Sequence, residues 1–214
     1  MYFSQAFQDK FVLSILKEKR NGHFLEIGSN HPINTNNTYT LEKNFNWRGI
    51  MVEYDGSFLP LYKEHRPNSV HIINDATKID YRSVFEANNM PFNMDYLQID
   101  LEANDRSTLT TLEILNSTMF DTYKFATITF EHDVYGGNHY DTRLASRELL
   151  HKRGYVCVFP DICDHDTRIV FEDWYVHPDL VDMDYIRKLM ADNAVNYVPN
   201  SITGKCIKCQ DIIY

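Results

Sequence analysis

The apolar positions of this chain switch repeatedly between two spacings, and the switching predicts an α/β fold. Phe7, Phe11, Val12, Ile15 and Leu16 recur at helical spacing and stop at Asn21-Gly22, a good helix end. Phe24 to Gly28 (FLEIG) follows as a short apolar run closed by glycine, which reads as a buried strand. After a polar, Asn-rich stretch from Ser29 to Asn37, Leu41 and Phe45 sit four apart on a second helix. The alternation then repeats. Strands are predicted at Gly49 to Glu53, Val70 to Asn74, Tyr96 to Asp100 and Phe125 to Glu131. Helices are predicted at Phe58 to His65, with Pro60 tolerated in the first turn, at Tyr81 to Asn89 and at Arg106 to Asn116. Another runs from Asp141 to Arg153, stopped by Gly154. Tyr155 to Phe159 and Arg168 to Trp174 read as a final pair of strands, and one more helix and a polar tail follow Asp182.

Strands alternating with helices imply a parallel sheet covered on both faces. Five such units followed by two late strands is the order of a class I methyltransferase. That fold is Rossmann-like: a seven-stranded, mostly parallel sheet with one antiparallel strand near its edge. An ordinary Rossmann dehydrogenase is the alternative. No repeat, low-complexity tract or linker divides residues 1–214, so one domain is expected, of a compact kind that is also found excised from longer multidomain chains.

Composition narrows the function. The 214 residues are 43% hydrophobic and 24% charged, as in folded globular chains. A net charge of −9 argues against a general nucleic-acid binder, which needs a basic surface to neutralise phosphates. No run approaches the roughly 18 apolar residues of a membrane span. Met1 to Lys10 lacks a basic region followed by an apolar run, so a cytoplasmic location is expected. The four cysteines are Cys157, Cys163, Cys206 and Cys209. Only the last two form a C-x-x-C, and free thiols are expected in preference to a zinc site.

Ligands of open parallel sheets bind outside the carboxyl ends of the strands. Five consecutive predicted strands each deliver an acid there: Glu26, Glu53, Asp75, Asp100 with Glu102, and Glu131 with Asp133. Gly28 lets the chain turn tightly against a ligand, and Asn30 tolerates a left-handed backbone nearby. Glu53, about 25 residues after the glycine turn, is spaced to accept hydrogen bonds from ribose hydroxyls. Asp75 is positioned to accept from an adenine amino group, with small Ala76 leaving room for the ring. A dinucleotide fingerprint would need further glycines, and here Ser-Asn-His-Pro follows Gly28. S-adenosylmethionine has no phosphate, so the pattern favours a methyl donor over NAD.

These runs resemble the FkbM-type S-adenosylmethionine-dependent methyltransferases. The likeness rests on FLEIGSNHP at Phe24 to Pro32, NTYTLEK at Asn37 to Lys43 and WRGIMVE at Trp47 to Glu53, together with SQAFQDK at Ser4 to Lys10 and IDLE at Ile99 to Glu102. It departs at Ala103, where the family has glycine. The resemblance implies O-methylation of a sugar hydroxyl in a glycan or glycoconjugate, with a deoxyhexose such as rhamnose as the family-context guess. It also implies a divalent metal beside the donor and an association with glycosyltransferase domains. Carried over, Glu26, Gly28 and Asn30 lie against the methionine portion, Glu53 holds the ribose, Asp75 the adenine, and Gln8 helps close the cofactor site.

A sugar hydroxyl must be aligned with the methyl carbon and must lose its proton. A metal bound by vicinal hydroxyls serves both needs. Asp100, Glu131 and His132, at the ends of neighbouring strands, are the ligand candidates, with Asp133 as a substitute for His132. Such ligands suit Mg²⁺ or Mn²⁺. Glu102 is the candidate general base. Phe171 to Pro178 reads either as an acceptor wall or as a plain edge strand, and Tyr135 to His139 as a covering loop. Two rivals stay open: an NAD-dependent oxidoreductase, and a catalytically silent binding module of a glycan-modifying assembly.

Overall fold

The computed structural model describes residues 2–136, 140–164 and 166–214. Helix α1 (Gln8–Ile15) leads into β1 (His23–Ile27), α2 (Tyr39–Phe45), β2 (Arg48–Glu53), α3 (Leu59–His65) and β3 (Val70–Ile73). Then come α4 (Tyr81–Ala87), β4 (Asn93–Ile99), α5 (Ser107–Thr118), β5 (Lys124–Glu131) and α6 (Tyr140–Lys152). The chain continues through β6 (Val156–Cys163), β7 (Val170–Val176), α7 (Met183–Asn193), β8 (Tyr197–Asn200) and β9 (Gly204–Lys208).

Among the described residues, nine strands form one sheet in the order β3-β2-β1-β4-β5-β7-β6-β9-β8. The first five are mutually parallel, and β7 runs antiparallel to both β5 and β6. This is the expected seven-stranded frame with two strands added. The addition corrects the sequence reading, because the tail after α7 is a β-hairpin whose β9 pairs in parallel with β6 and covers its edge. The final strand pair also shifts, and β7 lies inside the sheet, so Phe171 to Val176 is not an edge strand. Every residue of β7 is buried.

Residues alternate across a strand, so a strand covered on both faces reads as one continuous apolar run. In β1, Leu25 and Ile27 enter the core shared with Phe85 of α4 and Leu112 and Leu115 of α5. Phe24 enters the opposite core, with Phe11 and Val12 of α1, Leu41 of α2 and Ile186 of α7. Helices therefore cover both faces. No helix among the described residues is long and apolar enough to cross a membrane.

Candidate functional site

The strand order reverses between β1 and β4, and the carboxyl ends of β1, β2, β4 and β5 surround the crevice this creates. Gly28 closes β1 there with φ +83°, and a Cβ on it would fall 1.7 Å from the Asp100 carbonyl oxygen. Only glycine fits that approach. Asn30 takes the left-handed conformation, φ 47°. Ala103 is not among the residues with positive φ, so its methyl group is compatible with the turn; Arg106 takes the left-handed position instead, at φ 63°.

Two cavities share Gly28, Asn30 and Asp100. The first, of about 220 Å³, is lined also by Val52, Glu53, Asn74, Ala76 and Glu102. The second, of about 160 Å³, is lined also by Gln5, Glu26, Asn37, Gln98 and Glu131. A third, of about 310 Å³, meets the second at Gln5 and Glu131 and extends to Asp133, Tyr135 and Phe171. A separate concavity, about 490 Å³ around Arg20, Lys43 and His65, lies at the amino ends of the strands, away from all these groups.

Glu53 is held by its own turn. Its Oε1 accepts from the N–H groups of Tyr54 and Asp55, at 2.8 and 2.9 Å, and its Oε2 accepts from Asn30 N–H at 2.7 Å. Tyr62 donates its hydroxyl to the Asn30 carbonyl. Burial, reinforced by Glu53, pushes that phenol's pKa up. Glu26 is buried beside Arg66, 3.9 Å away, and accepts from Asn36 Nδ2 at 3.2 Å. Arg66 spends its shorter contacts on Glu42, Asn36 and Thr38. Burial therefore raises the Glu26 pKa despite the guanidinium.

Asp100 and Glu131 share a hydrogen bond across the junction of the cavities. Burial raises the pKa of both, Glu131 the more strongly because Asp100 and then Asp133 add negative charge beside it. Asp133 sits at φ 47° with its buried Oδ1 unpartnered. Strain of this kind gathers at functional sites, and Asp133 is one of the residues lining the third cavity.

The structure does not assemble Asp100, Glu131 and His132. Neighbouring residues at a strand end face opposite ways, and the fully buried His132 ring points behind the rim, 3.5 Å from Asp173 Oδ1. Asp133, the substitute, lines the third cavity with Glu131. His132, Asp161 and Asp173 are the one group of three potential ligands, among the described residues, whose donor atoms lie within 4.8 Å of one another. Those carboxylates are already matched: Arg143 forks onto Asp161 at 2.7 and 2.8 Å, and Arg147 onto Asp173 at 2.6 Å through both oxygens. Burial works to raise the Asp173 pKa, but His132 and Arg147 overcome it and hold it far below the usual carboxylate range.

Other expected residues are placed as follows. Gln8 lines neither cofactor-sized cavity; its amide donates to Glu172 and accepts from Ala6 N–H, both at 2.8 Å, and Gln5 reaches the rim instead. Asp75 caps Thr77, accepting from its N–H and hydroxyl, while its neighbours Asn74 and Ala76 line the first cavity. Glu102 is exposed on the first cavity and does not line the third. Of Phe171 to Pro178 only Phe171 lines the third cavity; Trp174 packs 4.7 Å from Phe11 in the core. Tyr135 and Gly136 are described, while Gly137, Asn138 and His139 of the expected covering loop lie outside the described residues. The cysteines are free thiols. Sequence reasoning passed over Gln5, Asn37 and Gln98; the Asn-rich run after Gly28 was the available signal for the second.

No protein-family model and no curated protein matches the chain. Solved structures do. A provisionally named rRNA methylase from Clostridium thermocellum superposes with a TM-score of 0.54 over 82% of this chain and 98% of its own, at 11% identity. A TehB-like SAM-dependent methyltransferase from Corynebacterium glutamicum matches at 0.48 over 79% and 87%, with 8% identity. Aeropyrum pernix fibrillarin, with natively bound S-adenosyl-L-methionine, matches at 0.42 over 78% and 74%, with 15% identity. The first of these, with the strand order 3-2-1-4-5-7-6 inside the sheet, shows the architecture: this chain has the Rossmann-like fold of class I S-adenosylmethionine-dependent methyltransferases.

Proposed function

We propose that the chain is an S-adenosylmethionine-dependent O-methyltransferase acting on a sugar hydroxyl. The observation that carries this reading is the run of three connected cavities meeting at Asp100 and Glu131. The first suits an adenosine, with Glu53 towards the ribose and Asn74 and Ala76 beside the base. A pyrophosphate would need free backbone donors at the glycine turn. Gly28 and Ser29 N–H both go to the Val52 carbonyl, and Asn30 N–H goes to Glu53, which weighs against NAD. Among its described lining residues the third cavity has no Lys, Arg or His. It pairs Glu131, Asp133 and Asp164 with the rings of Tyr135 and Phe171. Rings that stack on a sugar face, and acids that accept from hydroxyls, favour an uncharged glycosyl group over a phosphate-bearing acceptor.

When bound, the donor supplies a methyl group on a sulfonium whose S–CH₃ electrons leave with sulfur as the O–CH₃ bond forms. Asp133 accepts the hydroxyl proton in this scheme, since it lines the third cavity and Glu102 lies outside it. Tyr135 and Phe171 orient the sugar ring. Asp100, Glu131 and Asp133 would be the oxygen ligands for Mg²⁺ or Mn²⁺ if their carboxylates, not drawn within 4.8 Å of one another here, closed on an ion, and such an ion would lower the proton affinity of a bound hydroxyl.

Calorimetry followed by a methyl-transfer screen tests the whole reading. S-adenosylhomocysteine should bind and NAD should not, and methyl transfer to a neutral glycoside should be stimulated by Mn²⁺ and lost in EDTA. Asp133→Asn should lower kcat by about 100-fold with product affinity unchanged. Binding without transfer to any sugar would leave the silent-module alternative, and full activity in EDTA would remove the metal.

A further inference from the structure

The loops that enter β1, β2 and β3 meet at the concavity of about 490 Å³, on the far side of the sheet's ends from the ligand crevice. Arg20 and Asn21 come from the first loop, Asn46 from the second and Asn68 from the third; Lys43 of α2 and His65 of α3 join them. The one acid among the described lining residues is spent. Glu42 is buried, and its carboxylate accepts from Arg66 Nε at 2.9 Å, Ser69 Oγ at 2.6 Å and Asn68 N–H at 3.0 Å. The cations are not spent. Among the described residues no carboxylate pairs with Arg20 or Lys43, and His65 meets only Glu64, at 3.9 Å. Lys43 and His65 close α2 and α3, where a cation offsets the negative helix end. Arg20 belongs to no helix, and its guanidinium sits over the Phe45 ring, 5.8 Å from the centroid. Asn21 and Asn46 both stand at φ 58° and are pinned together by Asn46 Nδ2, which donates to Asn21 Oδ1 at 2.6 Å. The Asn21 amide donors and the Asn68 side chain keep no partner among the described residues.

We propose that this concavity is a binding site for a phosphorylated sugar, with Arg20 and Lys43 on the phosphate and the Asn21 and Asn68 amides on the hydroxyls. The inference goes beyond the methyl-transfer reading and does not rest on it. A guanidinium forks onto two phosphate oxygens, and an ammonium adds a point charge. Amides both donate to and accept from hydroxyls, so they suit a polyol. No Phe, Tyr or Trp is among the described lining residues, which disfavours a nucleobase, and no large apolar side chain is, which disfavours a membrane surface. The net charge of −9 repels a polyanion such as RNA, whereas a single phosphate is attracted by the two cations beside it.

Calorimetry on the intact protein at physiological salt tests this with glucose 1-phosphate, glucose 6-phosphate, glucose and inorganic phosphate. At least one sugar phosphate should bind one-to-one and about tenfold more tightly than inorganic phosphate, and glucose should give no heat. Arg20→Gln and Lys43→Gln should each weaken the sugar phosphate by about tenfold. Both side chains are exposed, so these variants should melt as the unaltered protein does. Asn68→Ala keeps the backbone bond to Glu42 and should weaken the sugar phosphate by about fivefold while leaving inorganic phosphate unchanged. Absence of saturable binding by either sugar phosphate would overturn the proposal, as would binding that Arg20→Gln and Lys43→Gln leave untouched. Inorganic phosphate or sulfate binding as tightly as the sugar phosphates would overturn it too, reducing the site to a screened patch of charge. An RNA oligonucleotide or phosphatidylinositol vesicles that bind through Arg20 and Lys43, with no binding of either free sugar phosphate, would assign the surface to that partner instead.

Discussion

Gly28 shows how one residue couples the sheet to the ligand crevice. Its φ of +83° is open to glycine at little cost, and the Asp100 carbonyl occupies the space a side chain would need. The same close contact lets Asp100 N–H reach the Ile27 carbonyl at 3.0 Å, which fixes the start of the loop bearing Asp100 and Glu102. Gly28→Ala combines a left-handed strain with overpacking against backbone that cannot swing aside. It should lose about 3 kcal/mol of stability in urea melts and weaken S-adenosylhomocysteine by more than tenfold. Unchanged affinity would show that the crevice tolerates movement of the β4 end.

Among the elements, the β8–β9 hairpin is the addition to the frame. Its turn is built by Asn200 Oδ1, which accepts from Ile202 N–H at 2.9 Å and Thr203 N–H at 3.1 Å, and by Gly204 at φ +85°. No atom lies within 4 Å of where a Gly204 Cβ would be, so Gly204→Ala meets only backbone strain. Thermal or urea unfolding should register a loss of about 1 kcal/mol, with ligand affinity untouched. The sequence hid this hairpin for a physical reason. Its strands are four and five residues long, half-exposed, with Pro199 in one and two lysines in the other, so no apolar period emerges. Strands β1, β2, β4 and β5 were legible because burial on both faces writes continuous apolar runs. The position of β7 between β5 and β6 was not, since pairing order is a tertiary property. At the rim, Gly28, Asn30 and Glu53 were readable from local spacing. The burial of the His132 ring beside Asp173 was not, because it depends on which way the chain turns after β5.

On the scale of the molecule, the acids divide into two populations separated by the end of β5. On the ligand side, Asp100 and Glu131 lack cationic neighbours among the groups that shift their pKa values. Behind it, Arg143 and Arg147 of α6 match Asp161 of β6 and Asp173 of β7, tying that helix to the antiparallel half of the sheet. The pH dependence of this tie has a definite sign. The folded pKa of Asp173 is depressed, so its contribution is present above the unfolded value of about 3.9 and is lost as pH falls towards the folded one. Arg147→Met keeps much of the stem's packing but strands a fully buried carboxylate. At pH 7 it should lose about 3 kcal/mol, the low end for a broken buried pair because Arg147 is partly exposed to solvent. Without the guanidinium the Asp173 pKa rises, and protonation then relieves the unpaired charge. Urea melts of both proteins should therefore differ most at pH 7 and converge as pH approaches 4; a gap that stays constant would mean Arg147 acts by packing alone.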